Sequence, residues 1–192
     1  MITIETRALR ATLVSAPKSD IRHYLNGVYV EIRKENVLCA SMDGHRLTVA
    51  LSDYPEDDRV TCSLIIPYDA VKKAITGYKD QWIELDIERS ILGSQIFTPI
   101  DEQFPDIRRV IPAEVSGELA IFNPHYVVDA YKSIALFQGK TARYVDAKLI
   151  HNGTSAGVVR GYDDHCFVVV MPIRDMADYN DIDRSWIGDD PK

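Results

Sequence analysis

MDGHRLTVA, residues 42–50, sets a turn between two strand-forming runs. Asp43 and Gly44 favour a reversal of the chain without any ligand. Gly44 also lets another backbone approach closely. Working outward, residues 28–33, 37–41 and 46–52 alternate or run apolar over strand-like lengths. Ahead of them, residues 2–5 form a short strand that leads into a helix expected over 6–16. Leu9 and Leu13 share one face of that helix, while Arg7 and Arg10 point elsewhere, and Pro17 ends it.

The layout of strand, helix and further strands recurs. CSLIIP (62–67) is a strand, Pro67 suits a first helical position, and Val71, Ala74 and Ile75 make the apolar stripe. Gly77 is the expected stop. Trp82, Ile83, Leu85 and Ile87, then residues 91–98, read as strands. A third unit opens with GELAIF (117–122), expected as a strand. Asn123 is the expected N-cap and Pro124 the first helical residue. Val127, Ala130, Tyr131 and Ile134 form its buried stripe, and RYVDAKLI, SAGVVR and HCFVVVM follow as strands. The spacing between units is uneven, so pattern alone leaves an internal repeat open. The fold class expected is α+β, built from strand-helix-strand repeats, with antiparallel sheets and helices on one face.

Composition bounds the function. The chain has 192 residues, 46% hydrophobic and 27% charged, with a net charge of −7. That balance argues against attachment to nucleic acid by global positive charge, though not against one locally basic face. No apolar run reaches the length of a membrane span, and MITIETRALR lacks a signal peptide's apolar core, so no membrane is expected and the expected location is cytoplasmic. Cys39, Cys62 and Cys166 lie far apart in apolar stretches and are expected to be buried free thiols. No paired ligand spacing points to a metal, and no cofactor is expected. GxSxG, HExxH and phosphate-binding glycine loops are lacking, and the five histidines are scattered, so no enzyme is expected. DYNDID (178–183) lacks the glycine and distal glutamate of a calcium loop. Residues 176–192 read as an acidic tail with Trp186 as its large anchor.

Four ordered stretches carry a resemblance. They are DIRHYLNGVYVE at 20–31, MDGHRLTVA at 42–50, FPDIRRVIP at 104–112 and VVVMPIRD at 168–175. Together they resemble the bacterial β sliding clamp (DNA polymerase III β subunit) family, and the helix near 123–134 is similar to the last helix of that family's third domain. The resemblance implies a DNA-clamp fold. It implies that residues 1–112 are a complete middle domain and 113–175 only the second half of the C-terminal domain. The family's first domain has no counterpart, so its mode of ring closure between first and third domains is not expected here.

The resemblance also implies a cleft that holds short peptides of DNA polymerase, clamp loader or repair proteins. Motif by motif, it places Leu25, Met42, Gly44, His45, Arg46 and Leu47 there, with Pro105, Arg109 and Val110 beside them. Val169, Met171, Pro172 and Ile173 fall on the opposite wall. Met42 stands where the family often has threonine. These residue types suit peptide capture. Leu, Val, Met and Pro make an apolar concavity, Met adapts to varied side chains, and Arg46 and Arg109 are expected to reach peptide carbonyls. The blander readings are a ligand-free turn, a connector with solvated arginines, and an ordinary buried strand stopped by proline.

For duplex DNA, the resemblance points to Arg7, Arg10, Lys72, Lys73 and Lys132 on helix faces, and to Arg22, His23 and Tyr24 in a loop. Such contacts are electrostatic and sequence-independent. The alternative is a solvated helix face. The function expected is a replication accessory or processivity factor; the alternative is a regulator or decoy that sequesters clamp-binding partners without encircling DNA. A lone half-domain leaves a sheet edge uncovered, so a homo-oligomer is expected, with a dimer through the C-terminal half as its simplest form.

Overall fold

The computed structural model describes residues 1–53 and 61–174. The expected acidic tail lies outside the described residues. In chain order the described elements are β1 (Ile2–Glu5), α1 (Thr6–Leu13), β2 (Gly27–Ile32), β3 (Asn36–Met42), β4 (Arg46–Asp53), β5 (Cys62–Pro67), α2 (Tyr68–Ile75), β6 (Trp82–Asp86), β7 (Ile91–Leu92) and β8 (Gln95–Ile96). They continue as α3 (Pro124–Phe137), β9 (Ala147–Ile150), β10 (Gly157–Gly161) and β11 (Cys166–Val170).

Local chemistry explains the boundaries. Helix α1 stops at Leu13, short of the expected 16, and the chain tightens into turns in which Val14 and Ser15 donate to the carbonyls of Ala11 and Thr12. Pro17 removes a donor and disfavours helical backbone before it, so the last turn unwinds. Pro67 caps α2 rather than opening it, with an extended ψ of 142°. Gly77, at φ 72°, follows the end of α2 as expected. Asn123 caps α3 through its side chain, which accepts from the His125 N–H at 3.0 Å, and Pro124 is the first helical residue.

All sheet pairings are antiparallel. Four strands form one sheet in the order β1-β6-β7-β8, and seven form a second in the order β5-β2-β3-β4-β11-β10-β9. The join at β4–β11 sets Leu47 opposite Val169 and Thr48 opposite Val168. GELAIF differs from expectation: it forms no strand. Its backbone instead crosses the end of the β9–β10 hairpin, where Gly117 donates to the His151 carbonyl and Gly153 donates to that of Glu118.

Strand alternation gives the seven-stranded sheet two apolar faces. One carries Val28, Val30, Cys39, Ala50, Val168 and Val170 toward the helices. There Leu9 of α1, Val71 of α2 and Ile134 of α3 join Ile4, Ile83 and Leu85 of the smaller sheet in one core. The other face carries Leu38, Ala40, Leu47, Val49, Ile65 and Val169 into a second cluster, roofed by Phe104 and Ile107.

Two of the three cysteines behave as expected. Cys39 and Cys166 are buried, and burial pushes the Cys39 thiol up to about 12 and raises that of Cys166 as well. Cys62 is only half-buried, because it opens β5 at the edge of the sheet. A thiol reacts as its thiolate, so raised values suppress labelling at neutral pH. Partial burial raises the Cys62 thiol too, but its exposure leaves it open to reagent, so at pH 8 a thiol reagent is expected to modify Cys62 on the native protein. Cys39 and Cys166 are expected to react only at the rate of unfolding, a difference that mass spectrometry of timed aliquots resolves.

Candidate functional site

The outer cluster is where sequence motifs from distant parts of the chain meet. Leu25 reaches it from the short 3₁₀ turn at His23–Leu25, Met42 from the end of β3, Leu47 from β4 and Val169 from β11. Val110 packs on its rim from the segment that follows the turn at Ile107–Arg109. Leu25, Met42, Leu47 and Val169 are buried within the cluster, beneath the side chains at its surface. Met171 and Ile173 continue past β11 and are exposed, while Pro105 and Pro172 are half-buried. The Met171 N–H donates to the His45 carbonyl at 2.8 Å, which extends the β4–β11 seam to the DGH turn.

That turn is fixed from within. The Asp43 carboxylate accepts from the His45 and Arg46 amides at 2.9 and 3.0 Å. Gly44 sits at φ 89°, and a side chain there would meet the Arg22 guanidinium at 2.8 Å. Arg22, expected to face DNA, instead lies between the Asp20 carboxylate and the Asp43 carbonyl, each about 2.9 Å away. The Arg22 guanidinium holds the Asp20 carboxyl down at about 2.

Arg46 is a correction to the sequence reading. Residues 46 and 47 of β4 face opposite sides of the sheet. Leu47 lies on the outer cluster, so Arg46 points toward the helices, away from any peptide seated over Leu47. Its guanidinium pairs with Asp43 at 3.0 Å and with Asp129 of α3, donates toward the Val14 carbonyl, and lies 5.1 Å from the Tyr126 ring centre. The His45 ring stacks on the same tyrosine at 5.3 Å. Arg46 therefore ties β4 to α1 and α3. Arg109 remains on the outer side, 86% exposed, with a loose 3.5 Å contact to Asp106 among the described residues.

Sequence reasoning missed the roof and the lock. Phe104 stacks on Tyr29 at 4.8 Å, and Ile107 seals the cluster beside it. The spacing of those two apolar residues in FPDIRR was a usable signal. Tyr126 and Asp129 carried none, since their partners lie some 80 positions earlier. A separate depression of about 360 Å³ opens beside the cluster. Ile111, Pro112, Ile150, Val158 and Phe167 line it, with Arg160 and Asp164 at its polar side, and none of the expected peptide residues does.

The expected DNA-facing residues divide. Arg7 pairs with Glu5 at 2.9 Å and lies over the Phe137 ring, and Arg10 donates to the Tyr78 carbonyl. Tyr24 packs against the outer cluster, on the side of the sheet away from the helices. His23 is exposed in its loop, and Lys72, Lys73 and Lys132 are exposed on α2 and α3. Among the described residues no group of acidic, cysteine or histidine side chains is arranged to hold a metal. No helix there is long and apolar enough to cross a membrane.

Comparison with solved structures defines the class. The DNA polymerase sliding clamp from Bacillus subtilis superposes with a TM-score of 0.69 at 14% identity, covering 91% of this chain and 64% of that one. The DNA polymerase III subunit beta from Pseudomonas aeruginosa gives 0.69 at 18%, covering 90% and 65%. The fold is thus that of a DNA clamp. A family model described as DNA polymerase III beta subunit, central domain, matches residues 4–106, and the chain belongs to that family. The beta sliding clamp of Proteus mirabilis is 32% identical over 115 residues, 55% of this chain and 31% of that protein. That of Vibrio cholerae is 29% identical over 153 residues, 76% of this chain and 41% of that protein. The chain spans less than half the length of these curated relatives.

The Arg46 lock is testable by a double-mutant cycle. Arg46→Met and Asp129→Asn are each expected to destabilise, and less than additively when combined. A coupling of about 1 kcal/mol fits a pair between the exposed and buried extremes. Urea melts of the four proteins measure it, and strict additivity would remove the lock.

Proposed function

We propose that the chain is a non-catalytic clamp-type binding protein, a replication accessory factor that docks short peptide segments of polymerase, clamp-loader or repair partners. In this reading residues 1–112 act as a middle domain and 113–175 as the second half of a last domain. The peptide crosses the seam between them on the outer face. The observation that carries the reading is the convergence of Leu25, Met42 and Leu47 with Val169 in one buried apolar cluster, with exposed Met171 just beyond it in the chain.

The chemistry follows from that arrangement. Exposed Met171 and Ile173, with Pro105, Pro172 and Val110, offer apolar contacts to a partner's anchor side chains. Arg109 offers donors to peptide carbonyls without leaving a strong partner. Gly44 leaves room for the Arg22 guanidinium to pack on the turn. Nothing in this set requires a proton to move, as suits binding rather than catalysis. The helix side offers Lys72, Lys73 and Lys132 to a phosphate backbone, and a second copy of the chain is a further partner.

Titration of a fluorescent peptide bearing one glutamine and a short apolar run tests the outer site. Wild type is expected to bind saturably, with Met171→Asp and Ile173→Asp weaker by at least about tenfold. Both side chains are exposed, so neither change should unfold the protein. No saturable binding by the wild type would end the peptide reading.

Duplex affinity measured against salt tests the helix face. Three lysine–phosphate contacts predict a log–log slope of about −3, flattened in a Lys72→Gln, Lys73→Gln, Lys132→Gln variant. A slope untouched by the triple change would place any DNA contact elsewhere.

A further inference from the structure

The first two strand-helix-strand units exchange their leading strands. β1, which precedes α1, pairs with β6, the first strand after α2; β5, which precedes α2, pairs with β2, the first strand after α1. In both pairings the buried residue just before the helix cap stands opposite a residue that faces the helices. Ile4 lies opposite Ile83, and Ile66 opposite Val28.

The third unit is built to the same plan. Ile65, two residues before the cap of α2, accepts from the Ile100 N–H at 3.0 Å. Ile121, two residues before the cap of α3, accepts from the Ile173 N–H at 2.7 Å. Phe122 is buried in the helix-side core, as Ile4 and Ile66 are. Yet the exchange is missing. Among the described residues, segment 117–122 joins no ladder, and β9 pairs with β10 alone and so ends its sheet. The Leu149 N–H of β9 is taken up by the Tyr131 hydroxyl at 3.1 Å rather than by a strand. Exposed apolar side chains collect on this flank: Leu119 is 84% exposed, Val128 of α3 is 63%, and Ile121 is 42%.

We propose that a second copy of this chain covers the flank, each copy laying segment 117–122 along the other's β9 about a twofold axis. This names the partner surface for the oligomeric part of the functional reading and does not depend on the peptide site. A register that keeps Phe122 opposite a helix-facing residue of the partner's β9 sets it against the partner's Ala147. Ile121 then faces the partner's Lys148, Ala120 the partner's Leu149, and Leu119 the partner's Ile150. Antiparallel pairing of this kind is self-complementary, because one chain carries both the donated segment and the receiving edge. Within one copy the segment crosses the end of its own hairpin and does not lie along its own β9; the Ala120 N–H donates there to His151 Nδ1 at 3.1 Å, a bond that docking exchanges for the partner's strand, as it exchanges the Tyr131 contact of Leu149. The two copies of α3 then lie near each other across the axis, as α1 lies beside α2.

Sedimentation equilibrium of the full chain, with far-ultraviolet dichroism to confirm folding, tests the interface. Wild type is expected at twice the 21.7 kDa chain mass. Leu149→Pro removes the edge donor where proline is tolerated, and Leu119→Asp places a charge at an exposed site in the exchanged segment. Each is expected to weaken self-association at least about tenfold while folding is kept. Should Leu149→Pro unfold, Leu119→Asp alone decides. A monomeric wild type at high micromolar concentration overturns the proposal, as does a dimer insensitive to Leu119→Asp. Peptide titration of Leu119→Asp is expected to match wild type, so this interface and the peptide site fail separately.

Discussion

The structure depends on the hydrogen-bonded seam between β4 and β11. Those strands lie more than a hundred residues apart in the chain, and their pairing makes one sheet from two segments. Because side chains alternate along each strand, the seam builds two cores at once. Leu47 and Val169 close the outer cluster, while Ala50 and Val168 enter the core beneath the helices. Any change that shifted the register by one residue would exchange these faces.

Polar groups secure the seam from the helix side. Arg46 reaches Asp129 and Tyr126 of α3, and the buried Ser15 and Thr48 hydroxyls bond to each other at 2.6 Å. Arg7 and Arg10 likewise find partners within the protein. These arginines thus serve cohesion, and Lys72, Lys73 and Lys132 are left exposed on α2 and α3. A net charge of −7 is compatible with such a face, because screening limits charge effects to about 10 Å.

The third unit shows the cost of an incomplete plan. In the first two units each leading strand closes the other's sheet, so no unit is left with a bare edge of that kind. In the third, Tyr131 lends a hydroxyl to a strand amide, and Leu119 and Val128 are exposed in the single copy. Unpaired strand edges are generally protected or paired. Among the described residues of one copy, that protection is the Tyr131 hydroxyl.

The sequence by itself determined the local elements and their order. Asp43–Gly44 made the turn, Asn123–Pro124 started α3, and the apolar stripes marked which helix faces are buried, because these depend on neighbours three or four residues away. The DGHR and VVVMPI stretches were legible as parts of one family, though not as a surface. Only the tertiary structure decided that Arg46 turns from the outer cluster to α3, that GELAIF forms no strand, and that Phe104 and Ile107 roof the outer cluster. Each of those outcomes rests on contacts between residues far apart in the chain. A strand's own residues set which side chains share a face, but the neighbouring strands and helices decide what that face meets.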